Sequence, residues 1–179
     1  MRRKSLVIFP SKQIEKQIFK QIAKEQTERL IAYAQQEIKR IGNDISVYPN
    51  ANMLDRTGNL LDSLCWIVCY DGKVNRFGYY RATTAFEESH LHEYSNPMGE
   101  AVNGRVMAQR FIASYSPPSN KGWNIAFAVL APYWGYWEKG FTHPASGEFF
   151  QWQVMTHHYD IVKSDLAPTR VTLHTYIPA

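Results

Sequence analysis

Cys65-Trp66-Ile67-Val68-Cys69-Tyr70-Asp71-Gly72 is the stretch on which the fold turns. Its first six residues are apolar, aromatic or β-branched, a composition that favours an extended strand. Asp71-Gly72 then supplies the dipeptide that best tolerates positive φ at both central positions of a tight hairpin turn. Lys73 to Arg81 should therefore return antiparallel. Just upstream, Leu54 to Leu64 reads as a short helix capped by Asp55 or Thr57, with Leu60, Leu61 and Leu64 on its apolar side and Gly58 allowing a tight entry.

Further upstream lies a long helix, expected from about Ser11 to Ile41. Pro10 and Ser11 give a stop and an N-cap, Ile14, Ile18 and Ile22 recur every four residues, and Leu30, Ala34, Ile38 and Ile41 resume after a polar turn near Gln26. Gly42 is the expected C′ residue. Such a rod is roughly 45 Å long. Downstream, Gly104 to Tyr115 looks helical and Trp123 to Leu130 reads as a buried strand. Phe149 to Leu166 is expected as a helix ended before Pro168, and Arg170 to Ile177 alternates as a closing strand. The sum is an α+β chain: a long N-terminal helix packed on a mostly antiparallel β-sheet, with two or three further helices. Its 179 residues fit one domain spanning 1–179, in which 1–42 form an N-terminal basic segment and long helix and 82–120 an inserted region.

Composition narrows the function classes. Hydrophobic residues are 45% and charged residues 20%, which excludes a disordered chain. The net charge of +4 permits proximity to nucleic acid without concentrating on it. No apolar run approaches the roughly 20 residues of a membrane span, and Leu6 to Phe9 is too short a run for a signal peptide. Cys65 and Cys69 would lie roughly 13 Å apart on a strand, so both are expected as reduced thiols.

Residue chemistry offers few reaction centres. His90, His92 and Glu93 fall within four residues, but no further ligand follows at a matched spacing, and no metal or other cofactor is expected. Neither a phosphate-binding glycine loop nor a nucleophile elbow is present. One acid–base alternative pairs Glu138 with His143 in a small hydrolase. Another uses the helix cations Lys16, Lys20 and Lys24 in a nucleic-acid-binding module.

Two stretches carry more information. Thr57-Gly58-Asn59-Leu60-Leu61-Asp62-Ser63-Leu64 is a capped helix start leading directly into a strand. Ala131-Pro132-Tyr133-Trp134-Gly135-Tyr136-Trp137-Glu138-Lys139-Gly140-Phe141 packs four large aromatics into five residues. One short helix cannot bury them all against itself, so they face either another part of the chain, as an internal aromatic core, or a partner, for which Tyr133, Trp134, Tyr136 and Trp137 are candidate anchors and Glu138 a candidate mate for a neighbour's cation.

In this order, behind a long helix, the two stretches resemble the head–tail joining, or minor tail-component, family of long-tailed bacteriophages, the tail-completion protein Z-like neck proteins. That family's pattern is T-G-x-L-x-x-S-(I/L), a hairpin, and then A-x-Y-(A/W)-x-(Y/W)-x-E-x-G-(T/F). Thr57, Gly58, Leu60, Ser63 and Leu64 match the first motif; Ala131, Tyr133, Trp134, Tyr136 or Trp137, Glu138 and Gly140 match the second. Residues 82 to 120 are longer than the pattern's usual connection, and the closing strand is extra. The resemblance implies a structural virion protein and not an enzyme. It would be a homo-oligomeric ring around the DNA channel of the virion neck or tail, reached from the host cytoplasm. Other neck and tail proteins would be its partners, Lys16, Lys20 and Lys24 its DNA-facing residues, and no membrane would be involved.

Overall fold

The computed structural model describes residues 11–47, 58–84 and 103–177. Asp55 and Thr57, the expected caps, and His90, His92 and Glu93 lie outside the described residues. The architecture is α+β. Helix α1 spans Lys12–Ser46, and the Ser11 hydroxyl caps it by accepting from the Ile14 amide at 3.4 Å. It runs past the end expected at Ile41 because Gly42 is not a terminator. The Tyr80 ring rests on the helix there, and a Cβ on Gly42 would run into it. The glycine admits the ring, and the Tyr80 hydroxyl donates to Asn43 Oδ1 at 3.1 Å.

Gly58, at φ 77°, opens a single helical turn, α2, at Asn59–Asp62. Strands β1 (Leu64–Tyr70) and β2 (Lys73–Tyr79) follow, joined at Asp71 and Gly72, both at positive φ as the sequence requires. They pair antiparallel from Cys65↔Tyr79 to Tyr70↔Lys73. A shift between Val68 and Cys69 leaves Asn75 as the extra residue of a bulge. Helix α3 (Gly104–Ser114) comes from within the region expected as an insert. The Asn103 side chain caps it, accepting from the Arg105 and Val106 amides. Its Gly104 amide donates to Asn59 Oδ1 at 2.7 Å, which docks α3 on α2.

Strand β3 (Trp123–Val129) pairs antiparallel with β1. The chain then makes helix α4 (Trp134–Lys139), strands β4 (Phe141–Thr142) and β5 (Phe149–Phe150), helix α5 (Val154–Leu166) and strand β6 (Thr172–Tyr176). The sheet order is β2-β1-β3-β6, with β6 parallel to β3. Two of the three pairings are antiparallel, so "mostly antiparallel" describes a mixed sheet. The helix expected from Phe149 begins only at Val154. Phe149 and Phe150 instead pair with Thr142 and Phe141, where Phe141 and Phe150 stack at 5.8 Å.

Both faces of the central strands are covered. Leu64, Trp66, Val68, Ile125, Phe127 and Val129 meet α1 and α5 on one side. Cys65, Ile67, Cys69, Ala126 and Ala128 meet Ala108 and Ile112 of α3 on the other. This is why β1 and β3 read as unbroken apolar runs and not as alternating ones. Each fully buried aliphatic or aromatic side chain contributes about 1.5–3 kcal/mol. The thiols sit free in the second layer, where burial pushes Cys65 up to about 12 and Cys69 up to about 11. No helix among the described residues is long and apolar enough to cross a membrane.

Candidate functional site

The two motif stretches meet at one hydroxyl. Ser63 Oγ donates to the Leu60 carbonyl at 2.7 Å and accepts from the amides of Leu130 and Ala131 at 3.2 and 3.1 Å. It is fully buried. The first motif's serine therefore satisfies the backbone where β3 ends and the second motif begins, a place with no ladder partner for those amides. Beside it, the buried Asp62 carboxylate accepts from Thr84 Oγ1 at 2.5 Å and pairs with Arg81 at 3.4 Å. These contacts are scaffolding around the α2 turn.

The aromatic stretch is mostly internal. Trp134 is fully buried and packs against Trp152 at 5.4 Å. Trp137 is half-buried, edge-on to Phe141 at 4.8 Å, and its carbonyl accepts from the Trp152 amide at 2.7 Å. Tyr133 is half-buried against the main core. Only Tyr136, 66% exposed, stands out, and Phe149, 63% exposed, is a second bare ring of the same region. The rings of this stretch had two possible covers, a partner or another part of the same chain. Here the β4–β5 hairpin and Trp152 cover them, which corrects Trp134 as a contact anchor.

Glu138 is corrected as well. It is buried, and its two oxygens accept from the amides of Met155 at 3.3 Å and Thr156 at 2.7 Å. Helix α5 begins at Val154 without a side-chain cap of its own, and this carboxylate takes that role from 17 residues away. Its charge opposes the positive end of the helix and fills orphan donors. Buried in this way, Glu138 is not presented to a neighbour's cation. His143, its proposed acid–base companion, is exposed in the β4–β5 turn, where its ring accepts from the Ser146 amide at 3.3 Å.

The lysines divide. All three are exposed on α1. Lys20 and Lys24 line a groove of about 270 Å³ whose other wall is Tyr70, Asn75 and Arg76, while Lys16 lies one turn further out. Sequence reasoning did not find Arg76 or Asn75, because nothing local brings β2 beneath the helix.

It also missed an ionic chain between α1 and α5 whose centre, His158 and Glu37, is buried. His158 is 4% exposed; its Nδ1 is 2.6 Å from Glu37 and its Nε2 2.8 Å from Asp44. Arg40 also pairs with Glu37, at 3.1 Å. Where both carboxylates are ionised, each ring nitrogen must donate to one of them, an arrangement that favours the imidazolium. Burial alone would lower its pKa, but the hydrogen bonds and charges of Glu37 and Asp44 outweigh that and hold it above the ordinary histidine value. Nearby, the Tyr33 hydroxyl donates to Asp165 at 2.9 Å, and burial together with that bond raises its pKa. Glu37 reads from sequence as part of the polar face of α1, and the structure instead buries it. No family model, curated protein or solved structure matches this chain in the comparisons made with them.

Proposed function

We propose that this chain is a structural protein of a bacteriophage neck or tail, of the head–tail joining or tail-completion kind. On this reading it assembles as a ring of identical subunits around the DNA channel and works by contact. Supporting it is the order of parts that the resemblance implies: long helix, capped turn, hairpin, then a strand running into the aromatic motif.

The observation that carries the assembly reading is on α1. From Lys12 to Gln26 no residue is buried; Thr27 is the first. This overhang is about 22 Å long. It carries Ile14, Ile18 and Ile22, each about half exposed, and Phe19, 70% exposed. At about 100° per residue, the three isoleucines lie about 155° from the stripe of Leu30, Ala34, Ile38 and Ile41 that α1 buries on the sheet. They look away from the chain's own core and are left half exposed to water. A neighbouring subunit supplies their cover in a head-to-tail ring, where two unlike surfaces must meet. Tyr136 and Phe149 give an unlike second surface.

The test replaces Ile18→Glu together with Phe19→Ser, exposed positions at which the monomer should still fold. Phage made with this variant should yield mostly unjoined heads and tails by electron microscopy. Intact infectious particles, or a gene locus without portal, capsid and tail-tube neighbours, would end the proposal.

A further inference from the structure

The side of the overhang opposite its isoleucines is cationic. Lys12, Lys16, Lys20 and Lys24 recur every fourth residue, so they form one row with about 6 Å of rise per step. The row shares the helix side that α1 buries further along, and so it looks toward the sheet. Lys20 and Lys24 there face Arg76, Asn75 and Tyr70 across the groove. Asn75 is present on that wall because the β1–β2 bulge gives β2 one residue too many for the ladder. Among the described residues Lys20, Lys24 and Arg76 make no ion pair. One carboxylate, Glu28, lines the groove against these three cations.

We infer that this groove binds the sugar–phosphate backbone of double-stranded nucleic acid, without reading its sequence. Lys20, Lys24 and Arg76 meet phosphate oxygens; the Asn75 amide and the Tyr70 hydroxyl add neutral donors. A lone phosphate is usually held by convergent backbone amides at a helix start or loop, and here the charge comes from side chains. The row continues beyond the groove through Lys16 to Lys12, which suits an anion that repeats. Arg76 contributes a planar fork matched to phosphate oxygens. The inference rests on these charges and not on the assembly reading. Duplex binding can fail while heads and tails still join, and joining can fail while duplex binding persists.

The experiment is fluorescence anisotropy of the full chain with a labelled random-sequence duplex, titrated at several salt concentrations. Three phosphate contacts give a slope of log K against log salt of about −2.7. The variant Lys20→Gln, Lys24→Gln, Arg76→Gln should lose about tenfold or more in affinity at low salt and most of that slope. The matched variant Lys39→Gln, Lys121→Gln, Lys139→Gln removes the same charge elsewhere and should keep the slope. All these positions are exposed; Arg76→Gln alone repeats the test with a single change, and circular dichroism checks the fold of each. Equal losses in both triple variants would mean diffuse attraction and overturn the site. So would competition by inorganic phosphate at millimolar levels, which marks a small-anion site, or by polyglutamate at equal charge, which marks an acidic protein partner.

Discussion

At the scale of single residues, two buried polar groups hold pieces of chain that are distant in sequence. Ser63 is one. Its removal in Ser63→Ala leaves the Leu130 and Ala131 amides buried without an acceptor, at a cost of about 1–3 kcal/mol. Urea unfolding should show that loss, whereas Ser114→Ala, at an exposed helix position, should be near neutral. His158 is the other. Its folded pKa is raised, so its contribution is complete below the unfolded value near 6.5 and is lost as pH climbs through the higher folded value. The urea midpoint should fall with rising pH across that interval, and in His158→Gln the fall should vanish. A midpoint that rises there would contradict an imidazolium between Glu37 and Asp44. Neither role was legible in the sequence. Ser63 and Glu138 stood out as motif positions, but motif spacing does not say whether a side chain turns inward.

Elements were easier to read than their faces. The Asp71-Gly72 turn, the apolar runs of β1 and β3 and the cap at Ser11 depend on neighbours in sequence, and all were visible there. The phase of α1 was visible too, yet the isoleucines every four residues looked like the start of the stripe that Leu30 resumes. Counting angle and not spacing separates the two halves. Gly42 illustrates the same limit. A glycine after an apolar repeat reads as a helix end, and only the Tyr80 ring, 38 residues away, explains a glycine inside one. Gly42→Ala ordinarily stabilises a helix by about 1 kcal/mol. Here the added methyl meets the ring, and thermal melting should show destabilisation instead. Gly42→Ala combined with Tyr80→Ala should recover the ordinary helix gain relative to Tyr80→Ala alone.

For the whole molecule, the α+β class was legible because each long element declared its own period. The closing strand's direction was not, since a parallel partner is chosen by the path between the strands. The aromatic stretch failed at this scale for a related reason. Whether Trp134 meets a partner or the interior depends on where β4, β5 and Trp152 arrive.

The parallel seam between β3 and β6 also sets an order in time. The hairpin can register early, but β3 must close about fifty intervening residues onto β1, and β6 about forty more onto β3. The edge of β3 therefore stays bare through much of folding. A newly made chain is open to strand exchange there, and refolding at high concentration will lose yield at this seam first.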